Sequence, residues 1–121
     1  MINLTTAELT KATDWCGVKS GRDVNKFKET GLTPIPATIV SAPMIDESPI
    51  NIECIVKDII PLGSHDMFLS EVVAVNADEK YYDNWSGTFS LSNAKPICYS
   101  HGKYYEVGKP IGKFGFSVKK K

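Results

Sequence analysis

Apolar residues recur at Leu9, Ala12 and Trp15/Cys16, the spacing of one helical face. The pattern predicts a helix opening at Thr5, where Thr5 with Glu8 three residues on fits a capping box. Gly17 is the expected stop, supplying a positive φ. Before this helix, Met1-Ile2-Asn3-Leu4 reads as the tail of a strand. Val18-Lys19-Ser20-Gly21-Arg22 then leads to a second short helix, from Asp23 to about Glu29, with Val24 and Phe27 inward and Gly31 closing it. Beyond Gly31 the periodicity changes. Thr33-Pro34-Ile35-Pro36 excludes helix, because proline has no amide to donate and holds its predecessor extended. Ala37 to Ser41 reads as a short extended piece. Asn51 to Asp58 alternates and is rich in β-branched residues, and Met67 to Asn76 is rich in valine. Pro61-Leu62-Gly63-Ser64-His65-Asp66 between them completes a hairpin pattern. Asp83 to Gly87 is a second turn, and Pro96 to Ser100 is expected to be the last strand. A glycine-rich tail follows from His101 and ends in three lysines.

Two helices followed by an antiparallel meander describe an α+β domain, mainly β, with a barrel-like sheet and helices at one end. A single domain over residues 1–121 is expected. About four strands leave a small barrel with open edges, and open edges invite pairing. The expectation is that another chain completes the sheet, or that the sequence is part of a longer one.

Composition narrows the function classes. Hydrophobic residues at 42% and charged residues at 23% fit a folded chain with one core. Fourteen Lys and Arg balance fourteen Asp and Glu, so the net charge is zero. That balance argues against a nucleic-acid binder, which needs a basic field to displace counterions. No apolar run approaches the roughly 18–20 residues of a membrane span, and the first residues given lack a basic stretch followed by an apolar one. Three widely spaced cysteines without a Cys-x-x-Cys predict neither a disulfide framework nor a thiolate metal site. The chain reads as cytoplasmic.

Three segments could carry chemistry. Lys19 to Lys28 gathers Ser20, Arg22 and Lys26 around a helix start, where free amides and the helix dipole suit a phosphate. A solvated, lysine-rich helix end explains the same residues, and the spacing is not that of a P-loop or dinucleotide fingerprint. His65 sits in a tight turn, either donating to an anionic or carbonyl group of a ligand or bonded locally to Asp66 or backbone. Tyr99, His101, Tyr104 and Tyr105 form an aromatic cluster that is either a ring-stacking surface or core. Two histidines without local ligand spacing do not make a metal site. No serine sits in a nucleophile elbow.

Taken together, several stretches resemble the flavin reductase-like, FMN-binding split-barrel family, in its flavoredoxin-like branch. They include Asp14-Trp15-Cys16-Gly17, Ser20-Gly21-Arg22-Asp23-Val24-Asn25-Lys26-Phe27, Ala42-Pro43-Met44-Ile45, Glu47-Ser48-Pro49-Ile50-Asn51-Ile52-Glu53-Cys54, Leu62-Gly63-Ser64-His65-Asp66-Met67-Phe68 and Pro96-Ile97-Cys98-Tyr99. The resemblance covers nearly the whole chain, through the order and spacing of these stretches. It implies a split barrel, a homodimer and non-covalent FMN, reduced by NAD(P)H or by a redox protein. It also implies that Lys26 contacts the flavin or its phosphate, with Ser20 and Arg22 nearby, that His65 hydrogen-bonds the cofactor and that Tyr99 packs against it. Family members carry further strands before the position matching Met1, so the chain is expected to be the C-terminal portion of such a fold. Two rivals are a non-catalytic module, or inactive shortened form, that pairs through its sheet edges, and an oligonucleotide binder using Tyr99, Tyr104 and Lys103.

Overall fold

The computed structural model describes residues 1–118, so the three terminal lysines lie outside the described residues. The elements run β1 (Ile2–Asn3), α1 (Thr10–Val18), α2 (Lys26–Thr30), β2 (Pro34–Ile35), β3 (Met44–Ile45), β4 (Ile50–Pro61), β5 (Asp66–Ala77), β6 (Tyr82–Asp83), β7 (Thr88–Phe89), β8 (Ile97–Ser100) and β9 (Lys103–Glu106). The fold is mainly antiparallel sheet with two short helices, as the sequence predicts. β1, β4 and β5 form one sheet, and β2–β3, β6–β7 and β8–β9 each pair separately.

The long β4–β5 hairpin is the frame, closing at Pro61 opposite Asp66. Val73 and Lys57 bulge out of its ladder. Both strands run past the limits their alternation predicts. The turn at Asp83–Gly87 also forms as expected, with Gly87 at φ 65° and its amide donating to the Asp83 carbonyl at 2.8 Å.

Helix ends depart from the sequence pattern. α1 opens at Thr10 and no side chain caps it, so Thr5 and Glu8 form no capping box. A distant segment has claimed this stretch instead. Ile97 donates to the Thr5 carbonyl at 3.2 Å, Ala7 donates to the Lys95 carbonyl at 2.9 Å, and Thr6 bridges Pro96. That pairing holds residues 5–7 out of helix and delays its start. Gly17 lies inside α1 rather than ending it, and the helix ends at Lys19 in extended geometry. α2 begins three residues later than expected, where the Asn25 side chain accepts from the Lys28 amide at 3.1 Å. Gly31 closes it at φ 72°, as its position predicts.

Two further expectations are corrected. The piece expected to be extended over residues 37–41 is instead a run of bends across residues 38–42. Pro96–Ser100 is not the last strand, because His101 (φ 49°) and Gly102 (φ 77°) make a two-residue turn into β9. Positive φ at both positions is what a right-twisted hairpin turn requires.

The buried centre is unusually polar. Glu53 and Pro49 are fully buried, and Thr6, Ser48, Asn51 and Ala94 are nearly so. The Ser48 hydroxyl lies 2.8 Å from both the Leu4 and Ile50 carbonyls, tying β1 to β4. The Asn51 side chain accepts from the Ile45 amide at 3.0 Å and donates to the Ile45 carbonyl at 3.1 Å, while Asn3 donates to Asn51. By contrast Val56, Phe68, Val72 and Val75 on the hairpin are exposed.

Candidate functional site

The connector between α1 and α2 is a tight turn. The Asp23 amide donates to the Ser20 carbonyl at 3.1 Å, and the Arg22 amide donates to the Ser20 hydroxyl at 3.3 Å. The Lys26 stem passes over Gly21, at a distance that a Cβ there would meet as an ordinary contact of 3.9 Å. Its ammonium donates to the Cys16 carbonyl at 2.6 Å, in the last turn of α1. Ser20, Arg22 and Lys26 are therefore brought together, as the sequence suggested. Lys26 has a structural partner as well, because it satisfies a carbonyl that a helix end leaves open. An ammonium carries three donors, so this bond leaves two for a ligand. Arg22 is exposed at the turn.

A groove of about 480 Å³ lies between the two helical segments, lined by Leu9, Ala12, Trp15, Thr30 and Leu32 together with the charged Glu8, Lys11 and Glu29, and by no residue of the connector. A smaller hollow of about 200 Å³ shares Leu9, Ala12 and Leu32 and adds Leu4, Cys16 and Ile45. Sequence reasoning took Trp15 and Cys16 as a packed helix face. Both are only half-buried, and the helical spacing that marks a face does not say whether another element covers it.

His65 and Tyr99 stand apart from the connector. His65 lies at the tip of the β4–β5 hairpin, its ring nitrogen 2.9 Å from the Ser64 hydroxyl. Strand of roughly 36 Å separates that tip from Ile50, at about 3.3 Å per residue. Tyr99 on β8 packs edge-to-face on Tyr104, ring centroids 5.1 Å apart. The Tyr104 hydroxyl donates to Asp14 on α1 at 3.1 Å. Burial, and then this carboxylate, hold the Tyr104 phenol above its usual range. Tyr99 thus belongs to the α1 side of the molecule and His65 to the far end of the sheet.

The residue that sequence reasoning missed is Glu53. Its carboxylate accepts from the amides of Thr38 (2.7 Å), Ile39 (2.7 Å) and Val40 (2.9 Å) and from the Asn76 side chain (2.8 Å). Burial alone would raise its pKa; the four donors outweigh that and bring it down to about 2. This ring of donors is why residues 38–42 curl rather than extend. The only sequence signal was a carboxylate at an alternating strand position. Among the described residues, no group of three His, Cys, Asp or Glu side chains could hold a metal, and no helix is long and apolar enough to cross a membrane.

Comparison with known proteins follows the same outline. The chain superposes on the flavoredoxin of Desulfovibrio vulgaris (Miyazaki F) with a TM-score of 0.84 and 29% identity, over 97% of this chain and 62% of that one. Flavoredoxin from Methanosarcina acetivorans gives a TM-score of 0.80 and 27% identity, over 97% and 63%. An uncharacterized protein of Aquifex aeolicus is 25% identical over 105 residues, 87% of this chain and 53% of its own length. The chain thus spans about half the length of that relative and under two-thirds of either flavoredoxin. The model of the flavin reductase like domain matches residues 1–108, from β1 through β9 and including the connector, the Glu53 latch and the long hairpin. The chain belongs to the flavin reductase like domain family.

Proposed function

We propose that this chain binds FMN and serves flavin-dependent electron transfer, receiving a hydride from NAD(P)H or electrons from a redox protein. It would do so as one flavin reductase-like domain within a cytoplasmic homodimer. The observation that carries the reading is the superposition on two flavoredoxins over 97% of the chain.

The donor set of the connector fits the cofactor. A guanidinium, an ammonium and a hydroxyl at one turn match a phosphate monoester of roughly −1.5 to −2 charge through charge-assisted bonds. Arg22 would grip the phosphate as a planar fork and Lys26 as a point charge, with the Ser20 hydroxyl completing the grip. The groove between the helical segments, with both apolar and charged lining, is of a size that small-molecule sites have, about 300–1,000 Å³. Trp15, Leu9, Ala12 and Leu32 would orient a flat ring there and exclude water from one side. Tyr99 would pack against the cofactor from the β8 side, and His65 would hydrogen-bond it from a neighbouring copy or from the hairpin tip. The flavin, when bound, supplies the redox chemistry.

The test is a titration of the purified protein with FMN, followed by quenching of flavin fluorescence and by a shifted visible absorption band. Saturable 1:1 quenching supports the reading. Undiminished fluorescence at high protein concentration overturns it.

A further inference from the structure

We infer that Tyr104, anchored by Asp14, is a positioning residue for the flavin ring, because it fixes the orientation in which Tyr99 meets the cofactor. This inference deepens the proposed function and rests on it. Three side chains from three elements carry it. The Asp14 carboxylate on α1 accepts from the Tyr104 hydroxyl on β9 at 3.1 Å. Tyr104 lies opposite Tyr99 on β8, and residues directly opposite share a face of the hairpin. The two rings meet edge-on at 63°, centroids 5.1 Å apart, the arrangement that their quadrupoles favour. Tyr104 is half-buried, whereas Tyr99 is 65% exposed. One ring of the pair is held and the other is presented.

The anchor sits where the hairpin needs one. Its root is tied to the stretch before α1, through Ile97 donating to the Thr5 carbonyl and Ala7 donating to the Lys95 carbonyl. Beyond that root β8 and β9 pair only with each other. Among the described residues, the Tyr104–Asp14 bond is the one hydrogen bond that joins this outer part of the hairpin to another element. Tyr99 and Tyr104 stand two residues out from Ile97 and Glu106, roughly 7 Å along the strands. Asp14 stands four residues into α1, roughly 6 Å along its axis. Hairpin and helix thus advance by similar amounts from residues 5–7 before the bond joins them. Asp14 directly precedes Trp15, which lines the groove between the helical segments. Successive helical residues point about 100° apart, so the bond sets the tyrosine pair on the flank of α1 next to the one that faces the groove.

An exposed ring that is free to turn loses rotamer freedom when it packs on a ligand, and that loss subtracts from affinity. Tyr104 removes the loss in advance. It cannot swing aside without giving up both its contact with Tyr99 and its bond to the carboxylate. Burial, and after it the Asp14 carboxylate, keep the Tyr104 phenol in the protonated form that donates. The effect reaches the ligand through Tyr99, so it concerns the flavin ring and not the phosphate.

The test titrates the full 121-residue protein with FMN and with riboflavin. Tyr104→Phe keeps the ring and removes the hydroxyl, and Asp14→Ala removes the acceptor. Each should weaken both ligands about three- to tenfold, whereas a lost phosphate contact registers with FMN alone. In a Tyr99→Ala background neither change should weaken binding further, which separates positioning from a general structural role. Asp14→Asn, whose amide oxygen still accepts, should recover most of the affinity that Asp14→Ala loses. The bond itself is read from the ultraviolet titration of the tyrosines. The phenol that disappears in Tyr104→Phe should titrate at lower pH in Asp14→Ala. Unchanged amide exchange at Thr38–Val40 verifies that each variant is folded. Parent-like affinity in Tyr104→Phe, losses undiminished in the Tyr99→Ala background, Asp14→Asn as weak as Asp14→Ala, or an unmoved phenol overturns the inference. Those outcomes leave flavin binding itself standing; a parent protein that binds no flavin overturns both.

Discussion

The Glu53 carboxylate accepts the Asn76 side-chain amide at 2.8 Å, although the β4–β5 ladder pairs Glu53 with Ala74 and Asn76 with Asn51. The contact is a diagonal one across the sheet, within reach of long side chains. Asn76 in turn accepts from the Thr38 hydroxyl at 3.0 Å through its carbonyl oxygen. A single side chain thus joins two strands and the loop at residues 38–40, beside the polar knot of Ser48 and Asn51.

Replacing Glu53 with Gln puts an amide where the loop offers only donors. Hydrogen exchange at Thr38, Ile39 and Val40 should accelerate at least about tenfold relative to the parent protein. The pH dependence follows from the direction of the shift. The folded carboxyl titrates at about 2, below the ordinary 4.5. Falling pH therefore protonates the unfolded chain first, and the stability Glu53 provides is complete above about 4.5 and lost towards 2. Urea midpoints of parent and Glu53→Gln should converge across that window.

Ser48 is 3% exposed and its hydroxyl faces two carbonyls. Ser48→Ala leaves them without this donor and should cost about 1–2 kcal/mol in urea unfolding. An unchanged midpoint would show that the β1–β4 junction does not need the hydroxyl.

Arg22→Ala and Lys26→Ala separate binding from structure. Each should weaken FMN binding by about 1–3 kcal/mol. Neither effect should extend to riboflavin, which has no phosphate. Lys26→Ala should also speed amide exchange in the last turn of α1, since the Cys16 carbonyl loses its partner; Arg22→Ala should not. Equal losses for riboflavin and FMN would move the phosphate away from this connector.

His65 is exposed and bonded only locally, to Ser64. His65→Ala should leave the unfolding midpoint within about 0.5 kcal/mol of the parent. Weaker FMN binding with that unchanged midpoint would identify a cofactor contact, and unchanged binding would remove His65 from the site.

Gly102 holds φ 77° in the β8–β9 turn. Gly102→Ala should cost about 1 kcal/mol, because an added Cβ is strained at positive φ. Equal stability in thermal unfolding would mean the turn relaxes freely.

What the sequence determined by itself is what neighbours along the chain decide. Alternation and β-branching specify the β4–β5 hairpin, and Gly31 and Gly87 end their segments because only short-range φ matters there. That Ser20, Arg22 and Lys26 share one connector was legible because they are near neighbours along the chain, although Arg22 lies in the turn before α2 and not on its helical face. Tertiary structure decided the rest. Thr5 and Glu8 satisfy every local rule for a helix start, yet a strand some ninety residues on pairs with Thr5 and Ala7 first. Alternation in β4 marks two faces without saying which is covered. In this chain the polar one, with Asn51 and Glu53, is buried, and the apolar one, with Cys54 and Val56, is open. Burying a carboxylate is unfavourable until donors arrive to meet it, and those at Thr38, Ile39 and Val40 reach Glu53 only when the chain folds back on itself.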